Sequence, residues 1–118
     1  MQHLSETLQA LADPTRLRIL SLLAGGECGV GELYTALELP QSTVSRHLAV
    51  LRALGWVLAR KTGVRTRYRL GHEPMQAALL AVLRPALDAR PETGRDREAL
   101  KRVLKEQGTA PHPQKPAV

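Results

Sequence analysis

The spacing of apolar residues changes at Gly55, and this change limits the folds open to the chain. Residues 44–54 carry apolar side chains every three or four positions, which is the spacing of one helix face. Residues 64–70 instead alternate between arginines and uncharged side chains, as a half-exposed strand does. The turn Lys61-Thr62-Gly63 joins this strand to the short apolar run at 56–60. The pattern predicts a helix followed by a β-hairpin.

Further helical patterns lie on both sides of this unit. Asp13-Pro14 is typical of a helix N-cap followed by proline at the first helical position, and Gly25-Gly26 of a helix end. Pro85 should kink or shorten the helix that contains it. The predicted helices cover 4–11, 14–24, 30–37, 41–54, 73–89 and 95–107. We therefore predict a mainly α fold, a winged helix-turn-helix with five to six helices and a two-stranded β-hairpin wing.

Composition excludes several classes of protein. The 118 residues contain no phenylalanine, so the core must be built from leucine, valine, alanine and isoleucine. A single cysteine, Cys28, excludes an intrachain disulfide and a cysteine-based zinc finger. The first thirteen residues lack the apolar run of a signal peptide, and no stretch approaches the length of a membrane span. We expect a cytoplasmic protein without a membrane partner.

The positive charge of the chain is concentrated in one segment. Residues 41–70 contain seven lysines and arginines and no acid, whereas all eleven acidic residues of the chain lie elsewhere. The formal net charge is +6, so this segment accounts for the whole excess. Concentrated positive charge without interleaved acids indicates a surface that binds a polyanion.

The predicted helix at 41–54 and the hairpin supply candidate DNA contacts. In a helix-turn-helix the second helix enters the major groove with its N-terminal residues foremost. Hydroxyl groups there suit phosphate oxygens, an amide suits adenine, and an arginine suits guanine or a phosphate. Ser42 and Thr43 as helix caps, His47 as a structural histidine, and the wing arginines as a solvated strand face remain alternatives. The candidate contacts are Gln41, Ser42, Thr43, Ser45, Arg46, His47, Arg60, Lys61, Arg65 and Arg67.

Several motifs, in order and at the right spacing, resemble the ArsR/SmtB-type winged-helix repressors. These are LADPTRLRIL (11–20), VGEL (30–33), QSTVSRHLAVLRALGWV (41–57) and RYRL (67–70). The resemblance implies a homodimer joined through the first and fifth helices, and repression that an effector releases. It implies no catalytic residues.

The leucines of the two end helices have no obvious intrachain partner, and they are our candidates for the dimer interface: Leu4, Leu8, Leu79, Leu83 and Leu87. A two-fold dimer would match an inverted-repeat operator in double-stranded DNA. We accordingly divide the chain into residues 1–90, a DNA-binding and dimerisation domain, 91–107, an additional charged helix, and 108–118, a disordered tail.

The effector is the least determined part of the prediction. Metal-sensing members of the family carry Glu-Leu-Cys-Val-Cys-Asp-Leu where this chain has Glu27-Cys28-Gly29-Val30-Gly31-Glu32-Leu33. Both thiolate positions are glycines, which leaves Cys28 as a weak candidate for a soft metal or metalloid. Residues 83–104 resemble methyltransferase-linked members, some of which respond to S-adenosylhomocysteine. The effector is therefore either a small organic metabolite, with S-adenosylhomocysteine as one possibility, or a metal ion.

Other functions remain as alternatives. An enzyme is disfavoured because no catalytic triad, paired-carboxylate motif or phosphate-binding glycine loop occurs. A winged helix can also serve as a protein-interaction module, or bind nucleic acid without sequence preference and without an effector. The unbroken basic segment argues against the first of these, and only a comparison of specific with random DNA tests the second.

Overall fold

The computed structural model describes residues 2–106, and the predicted tail at 108–118 lies outside them. Six helices and three strands follow one another along the chain. No helix among the described residues is long and apolar enough to cross a membrane. The elements are α1 (Gln2–Gln9), α2 (Pro14–Leu23), β1 (Cys28–Gly29), α3 (Val30–Leu37), α4 (Gln41–Ala53), β2 (Val57–Thr62), β3 (Arg65–Leu70), α5 (Pro74–Asp88) and α6 (Pro91–Glu106).

Capping residues and prolines in the sequence correctly indicate where the central helices begin. Asp13 caps α2, because its carboxylate accepts a hydrogen bond of 3.0 Å from the backbone N–H of Arg16. Helix α3 occupies 30–37 as predicted, and α4 begins at Gln41 directly after Pro40. The α3–turn–α4 unit with the following hairpin is a winged helix-turn-helix.

The predicted hairpin is confirmed, and a third short strand extends it to a three-stranded antiparallel sheet. Strand β3 lies in the centre, between β2 and the two-residue strand β1. Cys28 pairs with Tyr68 and Gly29 pairs with Arg67. A strand of two residues has no alternating pattern of its own, and it forms here only because the free edge of β3 offers backbone partners.

One leucine-rich core lies beneath the helix-turn-helix. Trp56 is 1% exposed, and its indole N–H donates a 2.8 Å hydrogen bond to the carbonyl of Thr7, which joins α1 to the start of β2. Helix α6 also contributes to this core through Val103. The largest fully buried side chains include Ile19, Leu20, Leu22, Leu23, Leu33, Val44, Leu48, Leu51 and Val57.

The C-terminal end of α4 is fixed by a close approach between two backbone segments. Gly71 donates its N–H to the carbonyl of Trp56 at 2.8 Å. A Cβ at Gly71 would lie 2.2 Å from the carbonyl oxygen of Gly55, so only glycine fits. The side-chain amide of Gln76 in α5 donates to the carbonyl of Leu54 at 2.8 Å. A hydrogen bond thus connects helix α5 directly to the end of α4.

Of the two C-terminal helices, α5 lies within one residue of the predicted 73–89 at each end, and α6 begins earlier than predicted. Pro85 does not end α5, which continues to Asp88. Proline removes the hydrogen bond to the carbonyl of Ala81, but Ala81 is exposed and water can take the place of the missing N–H. Helix α6 begins at Pro91, four residues before the predicted Arg95, because proline suits the first position of a helix.

An ion pair ties α6 to the helix-turn-helix. Asp96 is buried, and its two carboxylate oxygens accept hydrogen bonds of 2.9 Å from Nε and Nη2 of Arg18 in α2. The same guanidinium donates to the carbonyl of Leu37 at the end of α3, at 3.2 Å. One arginine therefore connects three helices, so that α6 packs against both α2 and α3.

Replacing Asp96 with alanine tests this connection. We expect Asp96→Ala to lower the free energy of unfolding by about 2 kcal/mol, because Arg18 loses a charged acceptor in a partly buried position. Urea denaturation followed by circular dichroism, at one fixed protein concentration, measures the loss. The control is Glu98→Ala on the same helix, which breaks an exposed pair with Lys101 and should cost less than about 0.5 kcal/mol. Equal losses in the two variants would contradict this role for Asp96.

Candidate nucleic-acid interface

Helix α4 buries one face and exposes the other along the whole predicted recognition segment. Val44, Leu48 and Leu51 are at most 1% exposed and hold the helix against the core. On the other side Gln41, Ser42, Ser45 and Arg46 are exposed, and Thr43 and His47 are half-buried. The residue before the helix is Pro40, and no side-chain hydrogen bond caps this end of α4 within the described residues. The capping interpretation of Ser42 and Thr43 therefore has no contact to support it.

A basic residue outside residues 41–70 joins this face. Arg16, in the first turn of α2, has its Nη1 atom 3.4 Å from Nδ1 of His47. Its Nε donates a 2.7 Å hydrogen bond to the carbonyl of Ala10, which fixes the direction of the side chain. Arg16 was not among the residues predicted from the sequence, because it lies thirty-one positions before His47 and outside the basic segment.

The wing tip is exposed and basic. Strands β2 and β3 pair from Val57 with Leu70 to Thr62 with Arg65, and the turn residue Gly63 has a φ of 65°, which favours glycine. Lys61 and Arg65 flank this turn and are exposed. These two cations extend from the protein at the end of the hairpin.

The base of the wing, unlike its tip, contains two acidic residues that pair with arginines of the hairpin. Glu27 accepts hydrogen bonds from Arg60 and Arg67, the latter through Nε at 3.4 Å. Glu32 lies 3.3 Å from Nη1 of Arg67 and also accepts the backbone N–H of Gly29. Arg67 is only 14% exposed at the side chain. Two of the seven cations of residues 41–70 are thus engaged by acids from outside that segment.

The charge balance at this base is reflected in the pKa of Glu27. Burial acts to raise that pKa, but the hydrogen bonds and positive charges of Arg60 and Arg67 outweigh it. The pKa of Glu27 therefore lies below its ordinary value, and the carboxylate stays ionised beside both arginines. Arg67 thus lies largely against the protein, whereas Arg60 is paired with Glu27 but remains 45% exposed at the side chain. Lys61 and Arg65 face solvent.

The candidate dimer residues lie on two neighbouring helices. Leu4 and Leu8 of α1 are 41% and 43% exposed, and Leu79 and Leu83 of α5 are half-buried. Leu87 is 6% exposed, so most of its surface is already covered within the protomer. One groove between the helices is lined by Leu8, Leu83 and Leu87, among others. The structure thus brings Leu8 close to Leu83 and Leu87, whereas Leu4 and Leu79 do not line this groove.

Helix α5 also exposes apolar residues that the sequence analysis had not selected. Met75 is 48% exposed and Val82 is 73% exposed. A fifteen-residue helix composed mainly of alanine, leucine and valine would normally bury more of its surface. This face of α5 is suited to contact with another protein surface.

Comparison with known proteins identifies the group to which this structure belongs. Residues 13–57, which include α2, α3 and α4, match the family described as "Bacterial regulatory protein, arsR family". A solution structure from Mycobacterium bovis, described as a homodimeric winged helix-turn-helix DNA-binding domain and a possible ArsR-family transcriptional regulator, is 36% identical with a TM-score of 0.65. The match covers 74% of this chain and 80% of that one.

The chain belongs to the arsR family.

Two curated relatives extend the comparison over the same region. The regulator CmtR of Mycobacterium bovis is 46% identical over 71 residues, which are 60% of this chain and 60% of the relative. The arsenical resistance operon repressor of Escherichia coli is 48% identical over 75 residues, or 62% and 64% of the two chains. The chain thus aligns with about three fifths of the length of these relatives.

In this arsR-family chain Cys28 is buried and its thiol is held in the neutral form. The side chain is 2% exposed, and its Sγ lies 3.7 Å from the carbonyl oxygen of Gly26. Burial, with the nearby charge of Glu32, raises the pKa of the thiol to about 12, whereas a metal ligand must be a thiolate. Within residues 2–106, no cluster of three or more histidine, cysteine or acidic residues is placed to hold an ion.

Arg65 and Arg67 should differ sharply when each is replaced by alanine. Arg67→Ala leaves Glu32 buried without its arginine, and we expect the free energy of unfolding to fall by about 2–4 kcal/mol. Arg65→Ala removes an exposed side chain at the wing tip and should change it by less than about 0.5 kcal/mol. Urea denaturation of both variants measures the difference. Similar stabilities would show that the base of the wing is not held by Arg67.

Proposed function

We propose that this arsR-family chain is a homodimeric, sequence-specific DNA-binding repressor that acts in the cytoplasm and is released by an effector. The observation that carries the proposal is the exposed polar face of α4 beside the exposed basic tip of the wing. The helix and the hairpin extend from one core, so a single DNA duplex can contact both of them. No catalytic residues are included in the proposal.

The exposed face of α4 is proposed to enter the major groove. Gln41 and Arg46 suit direct base contacts, because an amide can bond adenine at two atoms and a guanidinium can bond guanine at two atoms. The short hydroxyls of Ser42, Thr43 and Ser45 suit phosphate oxygens, as does His47 with Arg16 beside it. These contacts would set the position of the helix and read the operator.

The wing is proposed to contact the adjacent backbone or minor groove through Lys61 and Arg65. Arg60 and Arg67 were equal candidates in the sequence, but Glu27 engages both in the structure. Arg60 is 45% exposed and can still lie near a phosphate, whereas the 14% exposure of Arg67 leaves it little reach. We therefore assign Arg67 to holding the wing.

Dimerisation is proposed to occur through α1 and α5, because both helices expose apolar side chains and Leu8, Leu83 and Leu87 line one groove. The similar solution structure from Mycobacterium bovis is described as homodimeric. A two-fold dimer would place its recognition helices about 34 Å apart, which matches an inverted repeat with half-sites one helical turn apart.

Repression and release are proposed from the relatives and the pockets of this chain. The Escherichia coli relative is named an arsenical resistance operon repressor, which makes a metalloid effector one candidate. The buried, protonated thiol of Cys28 argues against that candidate here. A small organic metabolite, with S-adenosylhomocysteine as one possibility, is the effector class that we favour.

DNA binding is tested by selecting an operator from random duplexes and measuring its affinity by fluorescence anisotropy. A dimer that contacts about 6–10 phosphates should lose roughly 10³–10⁵-fold in affinity between 50 and 200 mM salt. Arg46→Ala should reduce the preference for operator over random DNA by about 1–3 kcal/mol if it makes a bidentate base contact. Lys61→Ala should weaken both DNAs alike.

The control for these variants is Arg102→Ala, which removes an exposed cation of α6 and should leave both affinities unchanged. No enrichment of any operator would indicate binding without sequence preference. A flat salt titration would instead indicate a winged helix that serves as a protein-interaction module. Either result would contradict the proposed function.

Dimerisation is tested by placing a charge on the exposed face of α5. Val82 is 73% exposed in the protomer, so Val82→Glu should leave the fold intact but bury a carboxylate in the proposed interface. We expect a dimer for the parent protein and a monomer for the variant in sedimentation at micromolar concentration, with unchanged circular dichroism. The control Thr35→Glu adds the same charge to an exposed site on α3 and should remain dimeric. A monomeric parent protein would refute the interface.

A further inference from the structure

A pocket lies between α6 and the loop that joins α2 to β1, away from the exposed face of α4 and from the wing tip. Its volume is about 170 Å³. The walls are mainly apolar and include Leu22, Leu100, Leu104 and Cys28. Arg97 and Lys101, one turn apart on α6, also line it. The protomer therefore combines an apolar cavity with two cations.

The size of the pocket limits what it can hold. An apolar cavity of about 150 Å³ accommodates one benzene ring. A single ring or a short branched alkyl group would therefore fill this one. The thiol of Cys28 behaves as part of the apolar wall, since burial raises its pKa to about 12 and it stays protonated.

The charges at the pocket favour an anion. Arg97 pairs with Asp88 and Lys101 pairs with Glu98, but both pairs are exposed and such pairs contribute little. A ligand carboxylate can replace those partners at small cost. The acid that also lines the pocket, Glu27, is already neutralised by two wing arginines.

We propose that this pocket binds a small organic monoanion with an apolar body of about one ring. The apolar body would lie against Leu22, Leu100 and Leu104, and the carboxylate would lie between Arg97 and Lys101. The ligand class is that of small aromatic or branched aliphatic monocarboxylates.

The position of the pocket would allow a bound ligand to affect the wing, because two residues that line the pocket also contact the wing. Cys28 lies in β1 and pairs with Tyr68 of β3, and Glu27 holds Arg60 and Arg67. A ligand against these two residues would contact the segment that anchors the wing. This regulatory role rests on the proposed DNA-binding function, whereas binding of the anion does not. The test therefore uses no DNA, so its failure is distinct from failure of the proposed function.

Benzoate is the probe, and nuclear magnetic resonance of the ¹⁵N-labelled full chain is the measurement. We expect saturable shifts of the amides of Gly25, Gly26 and Cys28, with a dissociation constant below about 10 mM. Benzamide, which has the same shape without the charge, should bind about tenfold more weakly. Lys101→Gln and Arg97→Gln should each weaken benzoate about two- to fivefold.

The matched control is Arg102→Gln, which removes a neighbouring exposed cation of α6 that does not line the pocket. Its affinity for benzoate should equal that of the parent protein. Absence of saturation, equal binding of benzamide, shifts confined to other amides, or an equal loss in Arg102→Gln and Lys101→Gln would each overturn the proposal.

Discussion

The partly buried guanidinium of Arg67 between Glu27 and Glu32 is the interaction on which the arrangement of the wing depends. A charge that is 14% exposed is tolerated only when it is paired and hydrogen-bonded. Here the carboxylates of Glu27 and Glu32 and the backbone carbonyl of Glu27 accept hydrogen bonds from the N–H groups of Arg67. Because Glu27 precedes β1 and Glu32 lies in α3, the pairing fixes β3 against the first helix of the helix-turn-helix. The direction of the hairpin relative to α4 follows from it.

This pairing also separates the cations of residues 41–70 into two groups, those paired with acids of the protein and those free to contact DNA. The cations nearest the core are neutralised in place, so they add little to the field that DNA would experience. Those at the wing tip and on α4 remain solvated and lie on the side that the proposed duplex occupies. The formal charge of the segment thus overstates its attraction for phosphate, and the position of each arginine matters more than the total.

The sequence predicted local structure well and long-range contacts poorly. Asp13-Pro14, Gly55 and the alternation at 64–70 act within a few residues, and the helices and hairpin they predicted are confirmed. The pairing of Glu27 with Arg67 spans forty positions, and that of Arg18 with Asp96 spans seventy-eight. Nothing in residue spacing indicates such partners. For the same reason β1 and the contribution of α6 to the core were not predicted. The sequence alone also suggested that Arg67 could contact DNA, because its pairing with Glu27 and Glu32 could not be foreseen.

The same two carboxylates also bear on how the protein can be regulated. Burial, with the nearby charges of Glu32 and Glu27, raises the pKa of Cys28, and Arg67 acts in the opposite direction. A metal bound through this sulfur would displace the thiol proton and bring its own positive charge. What disfavours a metal is the 2% exposure of Cys28, together with the lack of a cluster of metal-ligating side chains within residues 2–106. The neutral thiol of Cys28 is part of an apolar wall, and Arg97 and Lys101 line the same pocket, which is the combination that the proposed small organic anion requires.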